Sequence, residues 1–186
     1  MDTIKQPRPS MPVTLVYICH MKNLNLILAA SILFIFSSCA RKAEEAAEYN
    51  DIIIEHQKKI IASFDRFDST YVDSVASKDM VEFSYVDMQS TIKRSILALD
   101  SIGPFKSDPL LQNAARNLFK TYDSLVSAEY KKLLDIKLLD ESAISPAMVD
   151  TSFAAQIRIH DSSKEAQDNF LKMQEDFGKK YNLVFE

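Results

Sequence analysis

The stretch EYNDIIIEHQKKIIASFDRFDSTY (48–71) decides the fold. Tyr49, Ile53, His56, Ile60, Phe64, Phe67 and Tyr71 recur at steps of three and four, with mostly polar and charged residues between them. At 3.6 residues per turn these seven lie on one side of a helix, and that side needs a neighbour to cover it. Alternation at two, the mark of a half-buried strand, is not sustained here or elsewhere in the chain.

Three further stripes supply the neighbours. They are Val81, Tyr85, Met88, Ile92, Ile96 and Leu99; then Leu111, Ala115, Leu118, Tyr122, Leu125, Leu133 and Ile136, with Leu138 and Leu139 beyond; then Ala155, Ile159, Ser163, Ala166, Phe170, Met173 and Phe177. The spacing predicts an all-α fold, an antiparallel up-down-up-down four-helix bundle joined by short connections. Gly103-Pro104 and Asp108-Pro109 mark one break. Gly103 can end a helix in the left-handed conformation, and Asp108 can cap the next with Pro109 at its first position. Ser145-Pro146 marks another, with Ser145 or Thr151 as the cap. The first break has neither Gly nor Pro. It is placed within 69–79, where Ser74 or Ser77 can cap, because an unbroken helix there would run about 55 residues, or about 80 Å.

Upstream, NLNLILAASILFIF (23–36) is an apolar run preceded by Met21-Lys22 and followed by Ser37-Ser38-Cys39. It is shorter than the roughly 20 residues a membrane span needs, and it ends at small residues, the pattern of a cleavable export signal. Residues 1–20 carry three prolines and no amphipathic period. They read as an upstream extension from a misplaced start codon or as a disordered leader. The expected organisation is therefore 1–20 extension, 21–38 signal peptide, 39–43 tether and 44–186 bundle.

Phe36-Ser37-Ser38-Cys39 resembles a lipobox, the recognition sequence of the lipoprotein signal peptidase, with Phe36 where Leu is usual. An aromatic before Ser-Ser-Cys is similar to signals of the Bacteroidota. The resemblance implies acylation of Cys39, as with palmitate, and a lipid bilayer as the first partner. Two or more buried chains hold a protein on a bilayer stably. Ala40 stands where an inner-membrane retention signal would have Asp, and Arg41-Lys42-Ala43-Glu44-Glu45 is similar to the basic-then-acidic tags of Bacteroidota surface lipoproteins. Both point to the outer membrane, with the periplasmic face and the cell surface both open.

Removing the leader, which carries net charge +2, takes the chain from −4 to −6. An acidic chain with scattered Lys-Lys pairs lacks the basic face that nucleic acid requires, so no nucleic-acid partner is expected. Cys39 is then the one cysteine left, which excludes an internal disulfide or a cysteine metal cage. Bundle metal sites need Glu-x-x-His on facing helices. Ile53 precedes His56 and Ile157 precedes His160 at that spacing, so no metal and no cofactor are expected. No phosphate loop or nucleophile elbow is present, and the chain reads as non-enzymatic.

Tyr49-Asn50-Asp51 with Gln57, and Phe177 with Lys180-Tyr181-Asn182, resemble a family of uncharacterised helical surface lipoproteins of Bacteroidota and spirochaetes, over most of the mature chain. The resemblance implies a helical bundle and surface exposure, and no known activity. In the expected topology Tyr49, Asn50, Tyr181 and Asn182 meet at the membrane-proximal end. There they either close the core and satisfy helix termini or line a polar end pocket or partner contact. Ser162, Ser163 and Ala166 thin the last helix opposite Phe64 and Phe67, a gap that rings fill or a small cavity occupies. Asp68-Ser69-Thr70, Asp73-Ser74-Val75, Asp100-Ser101-Ile102 and Asp123-Ser124-Leu125 resemble the O-glycosylation sequon of Bacteroidota. That implies Ser69, Ser74, Ser101 and Ser124 as acceptors; the alternative is that Asp-Ser pairs favour caps and turns. Two functions follow: an envelope lipoprotein whose bundle contacts another protein or a polymer, or a small-ligand carrier using a bundle cavity or the Tyr-Asn end.

Overall fold

A computed structural model describes the backbone of residues 14–183 and the side chains of residues 41–183. The chain divides at Lys42/Ala43 into two units, and the bundle is the second. Four helical rods make up the described residues. The first, α1, is Thr14–Val72; α2 is Lys78–Ile102; α3, Leu110–Leu125, continues through a π turn, Val126–Tyr130, into α4, Lys131–Lys137; α5 is Pro146–Tyr181. The protein is an all-α four-helix bundle.

The helix α1 runs unbroken through the expected boundaries. Residues 39–43, read as a tether, are helical, and so are residues 14–20 of the stretch read as extension or disordered leader. The reason is local: after Pro12 no proline or glycine occurs until Gly103, and Ala40, Ala43, Ala46 and Ala47 are strong helix formers. Cys39, Phe36, Ser37 and Ser38 have only their backbone described; their side chains, and residues 1–13 entirely, lie outside the described residues.

The first turn falls at 73–77. Ser77 caps α2, its hydroxyl accepting the Met80 N–H at 3.3 Å, while the Asp73 carboxylate takes the Val75 N–H at 2.9 Å. Ser145 caps α5 with Pro146 in its first turn, and Thr151 lies inside the helix. Two details at the middle break differ from expectation. Gly103 has φ 64° and ψ −173°, a positive φ with extended ψ rather than the left-handed helical conformation. Pro109 is itself the N-cap of α3, and the Asp108 carboxylate accepts the N–H of Leu110 at 3.1 Å.

Neighbouring helices pair in opposite senses. Tyr49 reaches Gly103 and Thr70 reaches Ser84 between α1 and α2; Gln112 reaches Leu99 and Tyr85 reaches Val126 between α2 and the third rod. Asn50 meets Gln174 and Tyr71 meets Ser152 between α1 and α5. The π turn resets the third stripe. Leu118, Tyr122, Val126, Tyr130 and Leu134 recur strictly at four and are all buried. Steps of four drift about 40° each off one face of an ideal helix, and one widened turn recovers the drift. Phe64 therefore stacks on Tyr130 at 5.3 Å and meets the edge of Tyr122 at 5.2 Å, filling the axis opposite the thin part of α5. Among the described residues no helix is long and apolar enough to cross a membrane.

Candidate functional site

The two ends of the bundle are built differently. At the end where the chain enters it from Ala43, called here the closed end, four rings meet. Tyr49, Phe105, Phe177 and Tyr181 have centroids 4.7–6.1 Å apart. The loop 103–109 carries Phe105 inward. Its turn places Lys106 and Ser107 at φ 46° and 67°, with the Asp108 N–H donating to the Phe105 carbonyl at 2.7 Å. The Tyr49 hydroxyl donates to the Gly103 carbonyl at 2.7 Å, and burial raises its pKa. Asp108 collects the Tyr181 hydroxyl at 3.0 Å and the Lys180 ammonium at 2.8 Å. Although burial opposes its charge, these donors and the Leu110 N–H hold its carboxyl below the usual range.

Tyr49 and Tyr181 thus stand in one plug at this end, with Asn50 and Asn182 close to them in the chain. Asn50 is buried and accepts the Gln174 amide at 2.7 Å; Asn182 ends α5 in the left-handed conformation, its N–H donating to the Gly178 carbonyl. Rings and hydrogen bonds occupy this end.

The opposite, open end holds the 73–77 turn and the 138–145 connection. Among the described residues the well-exposed large apolar side chains gather in this half: Val72, Val75, Met80, Phe83, Val86, Val149, Phe153 and Ile157, against Leu97 and Leu171 toward the closed end. Phe83 is 75% exposed and Val75 86%. Between α1 and α2 lies a groove of about 680 Å³ lined by Met80, Phe83, Thr70 and Ser69 together with Asp65, Arg66, Asp79 and Asp87. A smaller recess of about 350 Å³, beside Tyr71, Tyr130 and His160, holds Asp68. Burial there, helped by the neighbouring Asp65, pushes the Asp68 carboxyl up to about 6.

The remaining sequence candidates scatter. His56 is half-buried in a groove with Lys59, Arg66 and Arg94, where burial and Lys59 lower its pKa; His160 is exposed in the recess of Asp68. Among the described residues no group of three or more His, Cys, Asp or Glu side chains is placed to hold a metal ion. Ser69, Ser74, Ser101 and Ser124 are all exposed. Ser69 and Ser101 donate back to the Asp65 and Leu97 carbonyls, and Ser74 stands in the first turn. Outside the thin part of α5, two shallow polar grooves share Asn117 and Thr121.

The groove of Met80 and Phe83 went unread in the sequence, although a signal was there. Met80, Phe83 and Val86 fall off the buried stripe of Val81, Tyr85 and Met88, so α2 carries more apolar residues than one face can hide. No family model, no curated protein and no solved structure matches this chain.

Proposed function

We propose that this protein is a non-enzymatic lipoprotein of the outer membrane, acylated at Cys39, whose bundle offers its open end to another protein or an envelope polymer. The observation that carries this reading is the asymmetry of the ends. The end four residues beyond Cys39 is sealed by rings, while solvent-exposed apolar side chains crowd the other. Exposed apolar patches on a soluble domain mark contact surfaces. The opposite sense of the neighbouring helix pairs supports an up-down-up-down order.

The anchor itself rests on Lys22, the 23–36 apolar run and Ser37-Ser38-Cys39. The ring-filled axis supports an interaction role over a small-ligand carrier, since ligand sites need concave space with a few convergent polar groups. The test is metabolic labelling with an alkyne fatty acid followed by mass spectrometry. Label on residue 39 at the mature amino terminus, lost in Cys39→Ala with release from the outer membrane, is the expected result. An unacylated Cys39 in membrane-bound protein ends the anchor reading.

A further inference from the structure

We propose that the α1/α2 groove at the open end is a docking site for a basic amphipathic helix of a partner protein. This rests on the partner-presenting reading above and names the chemistry of the partner. Three acids, Asp65, Asp79 and Asp87, line the groove against one base, Arg66, with Lys78 next to Asp79 in the chain. Both bases are committed: Arg66 binds Asp87 at 2.5 Å and Lys78 binds Asp140 at 2.9 Å. Lys137 turns its ammonium to the Asp73 carbonyl. Among the described residues Asp65 and Asp79, which line the groove at opposite ends, form no ion pair. Asp79 also sits in the first turn of α2, where the helix dipole favours its charge.

The groove floor is apolar through Met80 and Phe83, and two antiparallel helices flank it. That shape takes a third helix whose apolar row seats on Met80 and Phe83, the helix-in-groove mode. The acids lining the groove then select lysine or arginine beside that row, because like charges facing across an interface repel. A second copy brings the same acids to the same place, and an anionic bilayer brings more. Neither complements these acids.

The test uses the full chain in nanodiscs of zwitterionic lipid, with empty discs as blank. The probes are a labelled 18-residue Leu/Lys amphipathic helix and its Leu/Glu counterpart, followed by anisotropy. The wild type is expected to bind the Leu/Lys helix at least roughly tenfold more tightly than the Leu/Glu helix. Asp65→Lys with Asp79→Lys reverses that preference, and Phe83→Ser weakens binding about tenfold. A preference that survives the double charge reversal, or no binding above the blank, overturns the proposal.

A photo-crosslinking residue at position 83, and separately at 153, separates the two readings in cells. An adduct from 83 that maps to a basic amphipathic helix of another chain supports the proposal. Adducts from 83 to a second copy, to lipid or to a surface without that chemistry overturn it, as do adducts from 153 alone, while the open end remains a contact surface. Silence at both positions overturns the partner-presenting reading as well.

Discussion

The closed end and the open end draw on the same residue types and use them in opposite ways. At the closed end Tyr49, Phe105, Phe177 and Tyr181 turn inward, and their polar tips find Gly103 and Asp108. At the open end Phe83, Val75 and Phe153 face water. Ring burial is worth about 25 cal/mol per Å² of apolar area removed from water, so the first arrangement stabilises the fold and the second contributes little to it. Stability in a small domain is spread unevenly, and surfaces kept for contact come from the part that the core does not need. The bundle is held by its closed end, while the open end leaves apolar side chains in water.

The largest effect expected from this contrast is at Phe177, which is fully buried and touches three other rings of the plug. Phe177→Ala should cost about 3–5 kcal/mol, lowering the melting temperature by roughly 10–15 °C. A drop of only a degree or two in calorimetry would mean that the plug does not hold the fold.

Gly103→Ala comes next. A Cβ there meets nothing within 4 Å, so the cost is in the backbone alone: φ 64° with ψ −173° is a region only glycine occupies freely. A loss of about 1–3 kcal/mol in urea unfolding is expected. A neutral result would show that the loop relaxes without disturbing the Tyr49 hydrogen bond. Ser107→Gly should act in the other direction. It relieves a positive φ costing about 1–2 kcal/mol in an L residue, while the freer unfolded chain returns about half of that. A net gain of about 0.5–1 kcal/mol would show that the closed end stores strain; a loss would show that it does not.

These positions also show what the sequence made legible. The four stripes were readable because every fully buried row obeys a three-and-four step. Ser77 and Ser145-Pro146 were readable because caps act through neighbours in the chain. Val126 and Tyr130 were missed because a π turn breaks the step that defines the stripe; the strict fours from Leu118 to Leu134 were its trace. The Gly103 conformation was misread because Phe105, a distant packing partner of Phe177, sets the path of the loop. The surplus apolar residues Met80, Phe83 and Val86 were legible, but the groove itself was not, because periodicity tells which residues have a face to hide and not which pair of helices leaves a gap.

Asp68, in the recess on the open side, sharpens the comparison through pH. In the folded protein its carboxyl keeps a proton to about pH 6, against 3.8 for the ordinary group. Between those values the native state binds more protons than the unfolded one. Its stabilising contribution is therefore complete below 3.8 and is lost as pH rises through 6. At pH 7 the charged group works against folding, by no more than about 1 kcal/mol given its access to water. Asp68→Asn should raise the melting temperature at pH 7 by a few degrees and flatten this group's part of the decline between pH 4 and 6. An unchanged profile would mean that the recess is as wet as the rest of the open end.

The smallest expected effect, at Phe83, tests the comparison most directly. Phe83 and Phe177 are the same residue on two helices of one bundle, so any difference in response comes from surroundings. With 75% of its surface in water, Phe83 has few contacts to lose, and Phe83→Ser should change stability by less than about 0.5 kcal/mol. The melting temperature should then stay within about 2 °C of the parent. Removing an exposed ring should also raise solubility, because that ring contributes to a patch open to non-specific association. If Phe83→Ser instead destabilised the bundle as strongly as Phe177→Ala, the groove would be part of the core. The separation of a holding end from a contacting end would then disappear. A neutral stability together with lost binding of the basic helix can arise only if the residue serves a surface whose other half is supplied by another molecule.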